Sequence, residues 1–85
     1  MFKDKIVSLD NGVEYYIINE LIRNNRVFVL GAQVDTKNDT IDKDNLLIKE
    51  VVVENGSAKY ITIDNPIELE SISKELILKA HNEAL

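Results

Sequence analysis

Two Asn-Gly pairs constrain the fold of this chain more than any other feature of its sequence. Asn11-Gly12 and Asn55-Gly56 each lie between stretches rich in valine, isoleucine and tyrosine, which are residues that β-strands favour. Asn-Gly accepts the positive φ angles of a type I′ turn, which joins two antiparallel strands. Asn24-Asn25 lies between two further apolar stretches and indicates another hairpin. Together the three turns predict an antiparallel sheet.

The turns and the apolar pattern define the expected elements. We predict strands over about 4–9, 13–23, 26–34, 46–54 and 57–63, and a helix over about 66–83. The stretch 35–45 holds four aspartates and a single apolar residue, so we expect a mobile acidic loop there. It would separate a β-meander from a second β-hairpin. The strand order between these two units stays open.

The start of the helix is well marked. Asn65 can cap the helix, Pro66 suits its first position, and Glu68 follows three residues after the cap. At 100° per residue, six residues share one face that we expect to cover the sheet: Leu69, Ile72, Leu76, Ile77, Ala80 and Ala84. The sequence thus predicts an α+β fold, with one C-terminal helix packed on the sheet.

Length and composition limit what such a domain can do. Eighty-five residues suffice for a single domain, 1–85. The chain has no cysteine and one histidine, which excludes disulfides and a thiolate zinc site. Its net charge of −5 disfavours nucleic acid as a partner. Lys3, Asp4 and Lys5 precede only a short apolar run, so we expect neither a signal peptide nor a membrane span, and a cytoplasmic location.

The polar residues show no catalytic pattern. Counted from Asp35, an EF-hand would need an acidic or amide group at Lys37, glycine at Thr40 and glutamate at Leu46, so that pattern fails. Asp39, Asp42 and Asp44 keep cation binding open as an alternative. His81 has no recognisable nucleophile or orienting group in the sequence. We therefore expect no enzymatic activity and no cofactor.

The apolar pattern exceeds what one helix can cover. If the loops at Asn11-Gly12 and Asn24-Asn25 hold two residues each, Tyr16 faces Val7 and Ile17 faces Ala32. A core face then holds Val13, Tyr15, Ile17, Leu21, Phe28, Leu30, Ala32 and Val34. The candidate interaction surface comprises a second sheet face and one side of the helix: Tyr16, Ile18, Ile22, Val27 and Val29, with Ile67, Leu78 and Leu85.

This surface predicts a protein partner or self-association. Lysine in place of Ile18 and Val29 should abolish association and leave the fold intact. The alternative is that the sheet curls into a half-barrel and buries the second face itself. Sedimentation at micromolar concentration distinguishes the two for self-association.

The order of strand and turn motifs carries a family resemblance. The motifs are KIVSLDNG at 5–12, YYIINE at 15–20, RVFVL at 26–30, LIKEVV at 47–52, NG at 55–56 and IDNPIEL at 63–69. This order resembles the YrzB-like family of small acidic bacterial proteins of unknown function, over nearly the whole chain. The chain is less acidic than that family and has Pro66 before its helix. The resemblance implies a cytosolic bacterial protein and transfers no functional residues.

These observations favour a non-enzymatic protein-interaction module with a protein partner or a second copy of itself. Two alternatives stay open: a small-ligand or cation binder that uses the 35–45 loop and the mouth of the sheet, and an acidic mobile-element protein that mimics nucleic acid. The last of these requires carboxylates clustered on one face.

Overall fold

The computed structural model describes residues 1–9 and 11–84, and within them the chain forms five strands and one helix. The elements are β1 (Ile6–Ser8), β2 (Glu14–Arg23), β3 (Arg26–Asp35), β4 (Thr40–Glu54), β5 (Ser57–Ile61) and α1 (Pro66–Ala84). All neighbouring strands are antiparallel, in the order β1-β2-β3-β4-β5. The predicted α+β class is confirmed. The strand order, which the sequence does not determine, is that of a simple meander.

Two of the three predicted turns hold two residues. Asn24-Asn25 and Asn55-Gly56 have positive φ at both positions, and the flanking pairs Arg23–Arg26 and Glu54–Ser57 close the hairpins. The first turn is different, because β1 ends at Ser8 and β2 begins at Glu14. Val7 therefore pairs with Tyr15, and the predicted pairing of Val7 with Tyr16 is wrong by one residue.

A β-bulge at Ile18 exchanges the two faces of β2. Ile17 pairs with Gly31 and Asn19 with Leu30, so Ile18 has no partner opposite it. The predicted pairing of Ile17 with Ala32 is therefore wrong. A Cβ on Gly31 would lie 3.3 Å from Tyr15 Cβ. This glycine thus marks the close backbone approach beside the bulge.

The acidic stretch 35–45 is mostly not a loop. β3 continues to Asp35 and β4 starts at Thr40, so the connection is a turn over 36–39. Gln33 pairs with Asp42 and Ala32 with Leu46, which leaves residues 43–45 as an insertion in β4. The predicted loop is wrong over 40–45, because backbone pairing with β3 extends the strand through polar residues.

The described residues form two apolar clusters, one on each side of the sheet. On the helix side, Phe28, Leu30, Ile63, Ile72 and Leu76 are buried, and Ile18, Leu21, Ile48 and Ala80 pack against them. On the other side, Ile17, Val29 and Val51 are buried, with Phe2, Val7, Val27 and Tyr60 against them. The sheet curls around this second cluster, so most of the second face is covered by the protein itself.

α1 packs on β2 and β3 through part of its predicted face. Asn65 Oδ1 accepts hydrogen bonds from the amides of Ile67 and Glu68 at 2.9 and 3.1 Å, which confirms the predicted cap. Ile72 and Leu76 are fully buried. Leu69 and Ile77 are not, and the side chain of Ala84 lies outside the described part of the chain. Among the described residues, no helix combines the length and apolarity needed to cross a bilayer.

Candidate interaction surface

The side of α1 that faces away from the sheet carries large apolar residues. Ile67 is 80% exposed, Leu78 is 60% exposed and Ile77 is 50% exposed. Lys74 and His81 lie between Ile77 and Leu78, and these four residues line a shallow groove with Glu70 and Ser73. We call Ile67, Glu70, Lys74, Ile77, Leu78 and His81 the outer face of α1. The fold does not need these apolar side chains for its own core.

Charged side chains hold α1 in place against the sheet. The guanidinium of Arg26 donates to both carboxylate oxygens of Glu50, at 2.7 and 3.1 Å, and to both of Glu68, at 2.8 and 2.9 Å. It also lies 4.9 Å from the centroid of the Phe28 ring. Arg23 pairs with Glu75 farther along the helix. Bidentate pairs of this kind fix the orientation of the groups that they join. They therefore hold α1 at a fixed orientation on the sheet, with its outer face turned away from the sheet.

The predicted interaction surface is divided by the structure. Val29 is fully buried, Ile18 packs against the helix-side cluster, and Val27 packs inside the curl. Val29 cannot meet a partner, and its place in the predicted surface was wrong; Ile18 and Val27 are only partly exposed, because they pack against the two clusters. The bulge at Ile18 and the curl of the sheet are the reasons. The expectation that lysine at Ile18 and Val29 would preserve the fold fails with it.

The other predicted residues have different surroundings. Ile22 is 66% exposed at the end of β2. Tyr16 is half-buried, and its hydroxyl donates to Asp4 at 2.6 Å. This hydrogen bond raises the pKa of Tyr16. Ile67 and Leu78 are exposed together on one side of α1, whereas Leu85 lies outside the described residues. Of the helix residues in the predicted interaction surface, Ile67 and Leu78 are therefore exposed in the structure.

Ile77 belongs to the outer face although it was predicted to cover the sheet. The helix angle between Ile77 and the buried Ile72 is about 140° at 100° per residue, which places Ile77 beyond the margin of the buried stripe. This helix angle can be calculated from the sequence alone. Because Leu76 and Ile77 are adjacent and both apolar, a wide predicted stripe includes both residues.

The aspartates of the 35–45 stretch stabilise local turns. Asp35 accepts hydrogen bonds from the amides of Lys37 and Asn38 and from the Asn38 side chain. The Asn38 side chain, followed by the Asn38 amide, lowers the pKa of Asp35. Asp42 accepts from the Asp44 amide and the Asn45 side chain. Within the described ranges, no three His, Cys, Asp or Glu side chains are placed to share a metal ion.

Glu20 joins the N-terminal segment to β2. Its Oε1 accepts from the Met1 amino group at 2.8 Å and from the amides of Phe2 and Lys3 at 2.8 and 3.1 Å. Partial burial by itself would raise the pKa of Glu20, but these hydrogen bonds outweigh it and lower the pKa. Beside it, Asn19 is buried and accepts from the Glu20 amide at 2.8 Å. Phe2 is thereby held against the cluster inside the curl.

The Glu20 contacts predict how stability depends on pH. Because the pKa of Glu20 is lower in the folded state than its usual 4.5, its contribution is present above about pH 4.5 and is lost as pH falls. We expect Glu20→Gln to reduce the free energy of unfolding most at neutral pH, with a difference from wild type that shrinks as the pH falls below about 4.5. Urea unfolding across this range measures it. The exposed Glu54→Gln is the control, and a Glu20→Gln difference that stayed constant with pH would contradict the assignment.

Comparison with known proteins does not add a functional assignment. No protein-family model, no curated protein and no solved structure matches this chain. The geometry of the outer face of α1 is therefore the basis on which a function can be proposed.

Proposed function

We propose that this protein is a non-enzymatic protein-interaction module that makes its contact through the outer face of α1. The observation that carries the proposal is the exposure of Ile67, Leu78 and Ile77, at 80%, 60% and 50%, on a helix that buries Ile72 and Leu76 on its opposite side. Apolar residues gathered on one exposed surface are typical of an association site. The proposal includes a cytoplasmic, bacterial setting, which the absence of cysteine and the family resemblance support.

A second copy of the chain is the occupant that this surface fits best. Residues along the outer face occur in the order apolar, acidic, basic, apolar: Ile67, Glu70, Lys74, and Ile77 with Leu78. If two α1 helices pack antiparallel, Ile67 of each copy faces Ile77 and Leu78 of the other, and Glu70 faces Lys74. A two-fold interface requires a self-complementary patch, and this pattern has that property. An interface with a different protein does not require a self-complementary pattern.

The first test of this proposal is lysine at Leu78. We expect wild-type protein to form dimers at about 100 μM, and Leu78→Lys to weaken dimerisation by about tenfold or more, because the charge would be buried between the helices. Ile22→Lys is the matched control, since Ile22 has a similar exposure of 66% but lies on the sheet. Sedimentation velocity over a concentration series gives the dissociation constants.

Both variants alter exposed residues, so their folds should be intact, with changes in unfolding free energy of about 0.5 kcal/mol or less. Circular dichroism checks this. The proposal fails if wild-type protein stays monomeric at the highest concentration. It also fails if Ile22→Lys weakens dimers while Leu78→Lys leaves them unchanged, because the sheet edge would then be the contact.

A further inference from the structure

A cleft opens where the two ends of the curled sheet approach each other. The end of β1 and the segment after it supply Ser8, Leu9 and Asn11, and β5 supplies Ala58, Lys59, Tyr60 and Ile61, with Lys49 from β4. The cleft has a volume of about 630 Å³, within the range of small-molecule sites. It lies apart from the outer face of α1, and the proposed function does not use it.

Hydrogen-bond donors predominate in this cleft. The side chains of Ser8, Asn11, Lys49 and Tyr60 can all donate. No aspartate or glutamate lines the cleft among the residues that the structure describes. This is unusual in a chain with fifteen acidic residues and ten basic ones. The lining therefore favours a ligand that accepts hydrogen bonds and carries negative charge.

Lys49 is the best-placed anchor for such a ligand. It is half-buried, and its ammonium donates to the neutral hydroxyl of Thr62 at 2.8 Å. Within residues 1–9 and 11–84 this is the one hydrogen bond of the ammonium, which leaves two N–H groups and its charge for a ligand. Lys59, on β5, contacts Glu54 at 2.8 Å with both side chains well exposed. Because Lys59 pairs with Val52 and Tyr60 pairs with Val51, the Lys59 side chain lies on the opposite face of the sheet from Lys49 and Tyr60, which leaves Lys49 as the anchor.

Apolar surface completes the cleft. Leu9 comes from one side, and Ala58 and Ile61 from the other. Tyr60 packs its ring against the cluster inside the curl, and burial raises the pKa of its hydroxyl, so the hydroxyl remains a donor at neutral pH. An inorganic ion would leave this apolar wall unused.

We propose that this cleft binds a small organic anion, with its carboxylate or phosphate group held by Lys49 and its apolar body against Leu9, Ala58 and Tyr60. Both anionic groups present the same charged oxygen acceptors to this ammonium group. The neutral amide of the same shape should bind much more weakly, because it lacks the charge.

Amide chemical shifts of the full chain test this proposal with three probes of similar shape: benzoate, phenyl phosphate and benzamide. Each is added to about 10 mM, where a ligand with a Kd near 1 mM is mostly bound. We expect benzoate or phenyl phosphate to shift the amides of residues 8, 9, 11, 49 and 58–61. The tighter of the two identifies the anionic group. Benzamide should bind about tenfold more weakly or worse.

A substitution of Lys49 shows whether this residue binds the anionic group. Lys49→Gln should weaken binding of the anionic probe by about tenfold or more, whereas Lys37→Gln, in the exposed turn between β3 and β4, should change it by less than about twofold. The proposal is wrong if neither anion shifts these amides, if benzamide binds as tightly as the anions, or if Lys49→Gln binds as well as wild type.

Discussion

Val29→Lys should unfold this domain, even though its β-strand pattern suggested an exposed position. Val29 is fully buried beside Ile17 and Val51. The change removes about 1.5–3 kcal/mol of apolar burial and forces an ammonium into the interior at a cost of several kcal/mol. Domains of this size have stabilities near the lower end of about 5–15 kcal/mol. We expect most molecules of the variant to be unfolded at 25 °C.

The cross-strand neighbour of Val29 does not offer a simple rescue. Glu20 lies opposite Val29, but its carboxylate already accepts from Met1, Phe2 and Lys3. A new ammonium would have to displace these contacts and release the N-terminal segment.

Ile22→Lys is the control for Val29→Lys, because Ile22 belongs to the same predicted surface and is 66% exposed. We expect it to melt close to the wild-type temperature. Thermal melts by circular dichroism and the dispersion of amide signals measure both variants. A well-folded Val29→Lys protein would mean that the sheet does not curl around its second face.

The order of elements was predictable from local chemistry. Asn24-Asn25 and Asn55-Gly56 accept positive φ, and Asn65-Pro66 marks the start of α1. These signals depend only on neighbouring residues, so they survive whatever the rest of the chain does. The class of the fold and the existence of each element followed from them.

The faces of the sheet were not predictable in the same way. One unpaired residue, Ile18, reverses the alternation along β2. Nothing in the apolar pattern distinguishes Ile17 from Ile18. Gly31 gave a hint of irregularity, but the bulge that it accompanies lies on the neighbouring strand. The extension of β4 through Asp42 also depends on pairing with β3, which local composition cannot reveal.

The candidate surface was predictable only where it lies on the helix. Ile67 and Leu78 are opposite the buried stripe by simple counting, and the structure leaves both exposed. Val29 and Val27 do lie on the second face of the sheet, as the count across the hairpin placed them, but the curl of the sheet covers that face. The cleft around Lys49 and Tyr60 joins β4 and β5 to the segment after β1, and no sequence motif connects these segments.

Charge reversal on the outer face of α1 should have the second large effect. Glu70 and Lys74 already form an i,i+4 pair 3.0 Å apart within one helix, and antiparallel packing would bring each opposite its counterpart in the second copy. Glu70→Lys places like charges opposite each other twice in the symmetric dimer, as does Lys74→Glu. Each exposed pair is worth about 0.2–1 kcal/mol, and reversing two pairs to repulsion should weaken dimers by about tenfold or more.

Mixing the two variants separates this arrangement from a general loss of stability. A Glu70→Lys chain presents two positive groups, and a Lys74→Glu chain presents two negative groups, so the two chains complement each other. Both variants change the charge pattern on the same side of α1. Circular dichroism of each variant alone shows whether the helix is intact. We expect the loss of the Glu70–Lys74 pair within the helix to lower the free energy of unfolding by about 0.5 kcal/mol or less.

Sedimentation velocity of Glu70→Lys alone, Lys74→Glu alone and their equimolar mixture tests the role of α1 most directly. We expect each variant to sediment as a monomer at about 100 μM and the mixture to sediment as a dimer. If the mixture stays monomeric while wild-type protein dimerises, or if each variant alone dimerises as well as wild type, α1 is not the contact between copies of this chain.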